Sequence, residues 1–325
     1  MKYLNRPIGH LRHFLNETIF WKWLSFVLFA VFVFSQIFDV SILSKFPYIK
    51  GKRSTSTNQA DVTLSPSAAN TTDIQSLINS VLPADGVVLP ITWNDLGKRM
   101  IDDDVIDEQK FRALFEEGFS NEEEKMLTGS MDQPVTLNEQ SSRYLLDILW
   151  AFGLANKNDI LDNGEMMDVR YGGASNFAST GGWSLAKGAG FDHYSMHQYV
   201  TLSAEQQALV DEVSRNIYRP CCGNSTHFPD CNHGMAMLGL LELMAKNGAS
   251  EQEMYSVALK VNSFWFPQTY LDLATYFGEQ GTTWDQVDAK TVLGIQYSSA
   301  QGYQQTRQNI KSLPKPQQGG GGCGA

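Results

Sequence analysis

Cysteine and histidine are scarce in this chain, four and six among 325 residues, and the arrangements they fail to make exclude several chemistries. There is no C-x-x-C pair, which excludes a thioredoxin-like couple, and no C-x-x-C-H for covalent haem. His193 and His197 stand four apart, but HYSMH lacks the glutamate of H-E-x-x-H, which argues against a zinc protease. No G-x-x-x-x-G-K-[ST] or strand-linked dinucleotide fingerprint occurs, and Asp159-Ile-Leu-Asp162-Asn163-Gly164 falls short of a calcium loop. Strand signals are few and no internal repeat is present. No nucleophile, base and orienting group, and no pair of carboxylates, can be placed from spacing alone.

Positive charge is also in short supply, for the chain is −10 at neutral pH. What there is gathers at one end. Residues 1–53 hold Lys2, Arg6, Arg12, Lys22, Lys45, Lys50, Lys52 and Arg53 against Glu17 and Asp39, a net +6, which leaves −16 on the remainder. Such an acidic body repels phosphate backbones, so no nucleic-acid partner is expected. The basic end suits anionic lipid headgroups.

Trp23 to Phe38, WLSFVLFAVFVFSQIF, carries no charge, and the apolar character continues past Asp39 through Val40, Ile42 and Leu43. With Lys22 snorkelling, about 20 residues are available for a bilayer span. Trp21 and Trp23 fit an interfacial aromatic belt. A cleaved signal peptide is disfavoured by the long leader and the poor Val33-Phe34-Ser35 cleavage site, and a core helix by the missing polar stripe. The expected plan is a basic segment 1–22, a single transmembrane anchor 23–42 and a Ser/Thr-rich stalk 43–75. A helical domain 76–312 and a flexible Gly-rich tail 313–325 follow. Four basic residues lie on each side of the anchor, so the positive-inside count does not decide orientation. The usual signal-anchor arrangement places the domain outside the cytoplasm.

The hydrophobic share of 42% with 18% charged is enough for a sizeable core. The domain is expected to be all-α. Thr136 with Glu139, Ser203 with Gln206, and Ser250 with Glu253 have capping-box spacing ahead of apolar runs. Further helices are expected over Asn94 to Ile101, Glu108 to Glu117 and Gln268 to Phe277, and over Cys231 to Lys246 with Asp230 as cap and Asn247-Gly248 as stop. Met235, Met237 and Met244 alternate with Leu238, Leu241 and Leu243 as a core face. Asp102 to Asp104 and Glu122 to Glu124 are expected to be solvated. Between Asn163 and His197 the helical period breaks into a Gly-rich stretch. Its Tyr171, Phe177, Trp183 and Phe191 indicate a long ordered loop beside a site.

Apart from His10, His13 and Cys323, every histidine and cysteine falls between residues 193 and 233: His193, His197, Cys221, Cys222, His227, Cys231 and His233. Thiolates and imidazoles are preferred ligands of zinc and cuprous copper. A metal-binding module is therefore expected, with Cys222, His227, Cys231 and His233 as ligands and Cys221 as an alternate, because adjacent cysteines seldom reach one tetrahedral ion. The Gly-rich loop, with His193 or His197, would close over the ion. At a helix start Cys231 would gain thiolate character from the dipole. Two alternatives stay open. One is a thiol-disulfide protein cycling Cys221–Cys222 or Cys222–Cys231, with Cys323 as a resolving thiol on a tail that reaches roughly 15 to 18 Å. The other is a scaffold that docks a protein partner through the loop, its cysteines structural.

Overall fold

A computed structural model describes residues 68–311 of the chain. The segments expected to be the basic N-terminus and the membrane anchor, most of the expected stalk, and the expected tail with Cys323 lie outside these residues. No helix among the described residues is long and apolar enough to cross a membrane.

The first element is a helix, α1 (Ala68–Val81), so helix occupies the last part of the segment expected to be stalk. Strand β1 (Val87–Leu89) follows, then α2 (Leu96–Asp102), α3 (Glu108–Ala113), α4 (Asn121–Thr128) and strand β2 (Val135–Leu137). The strands pair antiparallel, Val87 opposite Leu137 and Leu89 opposite Val135, with these four side chains buried and Val88 exposed between them. The described residues form a mainly helical domain, as expected, and only the strict all-α reading is corrected, by this small two-stranded sheet. Three-residue strands show hardly one cycle of the two-residue alternation by which a strand is read from sequence.

Thr136 also departs from expectation. It lies in β2, and its carbonyl accepts from Ser141 Oγ at 3.0 Å instead of its side chain opening a helix. The helix, α5 (Ser142–Ala155), begins after a turn in which Asn138 and Ser141 exchange hydrogen bonds. The Glu122 to Glu124 run stays at the surface as expected, with two of its carboxylates engaged there. Glu123 completes a capping box with Ser120, and Glu124 makes a bidentate pair with Arg112 of α3.

Past α6 (Asp159–Asn163) the Gly-rich stretch folds as short 3-10 turns and α7 (Ala178–Gly181). It is anchored by buried Trp183, whose indole donates to the Val105 carbonyl at 2.8 Å. Ser203 caps α8 (Ala204–Arg215) with the expected capping box, and Ser250 caps α10 (Glu251–Trp265). Between them runs α9 (Asn232–Lys246). The described residues close with α11 (Pro267–Glu279), α12 (Ala289–Leu293), α13 (Ile295–Ser298) and α14 (Ala300–Arg307).

The core is centred on α5 and α9, which are buried on nearly all sides, as an almost continuous apolar sequence requires. Two glycines let them cross closely. A Cβ on Gly153 would sit 2.2 Å from the Met235 carbonyl, and one on Gly239 would sit 2.9 Å from Gly153 Cα. The methionines and leucines of α9 are buried as the expected core face. Two carboxyls share this interior. Burial pushes Glu242 up to about 8 and Asp147 up to about 7, with Arg143 opposing the rise of the second.

Candidate metal centre

The loop between α8 and α9 is folded back on itself by an antiparallel bridge between Tyr218 and Ser225 and by Thr226 N donating to the Ile217 carbonyl at 2.7 Å. It is tied to the C-terminal helices by Ala300 N, which donates to the Cys222 carbonyl at 2.8 Å. This carries Cys221 and Cys222 to the start of α9. The N-cap of α9 is Cys231, one residue later than expected. Asp230 does not cap the helix, because its carboxylate is taken by Arg219 and by Asn224 Nδ2.

Arg219 is the organiser that residue spacing did not reveal. Its guanidinium is buried, donating through Nε to Cys231 Sγ at 3.0 Å, through Nη1 to the Asn224 carbonyl at 3.1 Å, and through Nη2 to the Phe228 carbonyl and the Asp230 carboxylate. Gly234 makes room for it, since a Cβ there would lie 2.5 Å from the guanidinium. A guanidinium with four of its five donors paired suits such a site because its planar fork matches fixed acceptors one by one. The only sequence hint is the arginine beside Pro220 at the head of the cysteine pair.

Around this guanidinium the donor atoms converge. Cys221 Sγ lies 3.6 Å from Cys231 Sγ. Cys221, Cys231 and His233 place their ligand atoms within 4.8 Å of one another, and so do Cys222, Asp230 and Cys231. The result is a buried Cys/His/Asp cluster able to hold a metal ion. Tetrahedral zinc with bonds of about 2.3 Å sets its sulfurs about 3.8 Å apart, close to the spacing seen. His233 is buried against Phe266 and Trp265, and neither ring nitrogen meets a partner in hydrogen-bond geometry, although the ring lies near enough to Cys231 to help hold that thiol low. An imidazole stripped of water and left with both nitrogens unsatisfied is a costly arrangement that an ion would relieve.

The three thiols are not equivalent. Hydrogen bonds from Cys221 and Cys222, with Arg219 adjacent, outweigh burial and hold Cys231 well below the ordinary thiol value. Bonds to Cys222 and Cys231, with burial, push Cys221 up. Cys222 is pulled down by Cys221, but Cys231 and burial outweigh this and raise it. Burial works against the Arg219 charge, yet Cys231, Cys222 and Asp230 together raise its pKa. The cluster thus favours one thiolate at the helix start, flanked by two thiols and a fixed cation.

Three expected residues are not brought to this centre. His227 turns toward α8, its Nε2 2.8 Å from the Asp211 carboxylate, which also pairs with Arg215. His193 and His197 meet each other elsewhere, His193 Nδ1 lying 3.2 Å from His197 Nε2, although their segment is no α-helix. His193 ends a 3-10 turn, and Ser195 at φ 55° reverses the chain between the two rings. Burial holds His197 below its ordinary pKa, with Asp103 opposing and His193 adding to the shift.

No protein-family model matches the sequence, and neither a curated protein nor a solved structure matches it.

Proposed function

We propose that this chain is a membrane-anchored metal-binding protein that holds zinc or cuprous copper between Cys221, Cys231 and His233, with Cys222 as the fourth donor. The observation that carries the reading is His233: a buried imidazole with two unpartnered nitrogens beside two converging sulfurs. The donor set suits a borderline or soft ion. Arg219, bonded to Cys231 Sγ, would act as the outer partner that orients this ligand and steadies its charge. A bound ion would supply either a structural cross-link or a cargo to be passed on, while residues 23–42 keep the domain at the lipid surface, on the extracytoplasmic side.

Metal content and free thiols of the full chain, purified in detergent without chelator, test this. One equivalent of zinc or copper is expected at the cluster, lost in Cys231→Ser and in His233→Ala. Protein that carries no ion there, and takes up neither added zinc nor cuprous ion at the cysteines, overturns the reading. Exchange against a competing chelator separates structural from cargo metal, since an ion meant for delivery leaves within the experiment and a structural one does not.

The 3.6 Å approach of Cys221 to Cys231 favours a second reading, a thiol-disulfide centre in which these two cysteines form the couple. A reversible loss of two thiols in the metal-free protein, abolished by Cys221→Ser, supports it.

A further inference from the structure

His193 and His197 carry a proton problem of their own. Backbone bonds fix their segment to the end of α5: Ser195 N donates to the Leu154 carbonyl at 2.9 Å, His197 N to the Ala155 carbonyl at 2.9 Å, and Lys157 N to the His197 carbonyl at 2.7 Å. The two rings then meet through their inner nitrogens at 3.2 Å, with centroids 5.5 Å apart, so they lie edge to edge. The outer nitrogens face groups that only accept. His193 Nε2 is 3.4 Å from the Lys187 carbonyl, and His197 Nδ1 is 3.6 Å from the Asp103 carboxylate.

Two neutral imidazoles own two N–H groups between them. If both protons point outward to the carbonyl and the carboxylate, two lone pairs face each other across 3.2 Å. If either turns inward, its outer nitrogen presents a lone pair to an acceptor. The best neutral arrangement makes one ring-to-ring hydrogen bond and leaves the His197 Nδ1 lone pair turned toward the Asp103 carboxylate at 3.6 Å, whereas a single cation between the rings lets both outer nitrogens carry protons toward their acceptors.

We propose that His193 Nδ1 and His197 Nε2 form a second, exchangeable site for a zinc-class transition-metal ion, with the Lys187 carbonyl and the Asp103 carboxylate fixing the two tautomers. Imidazole ligands held by an outer carboxylate or carbonyl are the usual construction of such centres. With metal–nitrogen bonds of about 2.0 to 2.1 Å, a 3.2 Å separation closes an angle of about 100°. That is near tetrahedral once each ring turns about its Cβ–Cγ bond to aim its lone pair at the ion. His197 opens on a pocket of about 480 Å³ lined also by Arg99, Asp103, Lys157, Ser195 and Tyr199, which leaves room for water ligands. The cations nearby are already engaged. Lys157 pairs with Asp162, Lys187 with Asp104, and Arg99 donates to the Gln198 and Tyr199 carbonyls and lies over the Tyr199 ring.

This site is separate from the cysteine centre. Asn156, which bridges to His197, bonds to Glu242, eleven residues beyond Cys231 on α9, or about 16 Å along the helix.

The test is zinc binding to the full chain, stripped by chelator and followed by equilibrium dialysis, in wild type, Cys231→Ser, His197→Gln and the two combined. Cys231→Ser is expected to keep one equivalent that the added His197→Gln removes, and the exposed Asp103→Asn to weaken that equivalent about 10-fold or more. A Cys231→Ser protein that binds no zinc, or whose zinc survives His197→Gln, overturns the second site and leaves the cysteine reading standing. Zinc lost in His197→Gln and kept in Cys231→Ser supports this site while the cysteine reading fails. Side-chain 15N spectra of the wild type keep the test independent of variant folding. Zinc is expected to shift the inner nitrogens, whereas rings that ignore zinc and answer only to pH hold a shared proton instead, which overturns the proposal.

Discussion

Along α9, the residues beyond Gly234 pack apolar side chains against α5, while the turn before it is held by one buried guanidinium. The difference lies in how each part satisfies its atoms. The Gly153–Gly239 crossing gains stability from volume: methionines and leucines fill space, and the glycines remove the Cβ atoms that would hold the helices apart. The Cys231 end gains little from volume. Its stability depends on every polar group finding a partner, and Arg219 supplies Cys231, Asp230 and two carbonyls at once. Apolar packing tolerates exchange of like volumes. A polar network of this kind does not.

The sharpest way to break the comparison is Arg219→Met, which keeps the stem and removes the charge. It strands the Asp230 carboxylate and the Cys231 thiolate, and urea denaturation is expected to show a loss of about 3 to 5 kcal/mol. Gly153→Val attacks the other half by forcing a side chain into the Met235 carbonyl, with an expected loss of about 3 kcal/mol and the metal equivalent retained in the folded fraction. If Gly153→Val instead strips the metal at unchanged stability, the two regions are not separable.

Glu242 tests where polar burial intrudes on the apolar half. Its folded pKa, raised to about 8 from 4.5, means that the folded state holds a proton the unfolded state has released. The stabilisation is whole below pH 4.5 and is lost as pH rises through about 8, with a slope of about 1.4 kcal/mol per pH unit. Asp147 adds a similar limb between its ordinary value and about 7. Glu242→Gln should flatten the part of this decline that extends to pH 8, as read from denaturation midpoints at stepped pH. The smallest effect belongs to neither region: Ser203→Ala removes an exposed cap on α8 and should cost about 1 kcal/mol while sparing both core and cluster.

Much of the helical plan was legible because its signals are local. The Ser203 and Ser250 caps, the core face of α9 and the stop at Asn247-Gly248 each depend on residues within a turn or two of one another. Thr136 shows where that logic ends, since the same spacing that opens a helix at Ser203 serves at Thr136 a strand whose partner lies some fifty residues earlier.

The candidate centre divides in the same manner. The sequence by itself determined that thiols and imidazoles crowd between residues 193 and 233, and that Cys231 stands at a helix start, because composition and capping are properties of neighbours in the chain. Only the tertiary structure decided which of them meet. It joined Cys221 to Cys231 and His233, sent His227 to Asp211, set His193 against His197, and placed Arg219 beneath the cysteines through the vacancy at Gly234. The physical reason is that a ligand set or a buried ion pair is defined by atoms a few ångströms apart. Which atoms come that close is fixed by how whole helices pack, not by spacing along the chain.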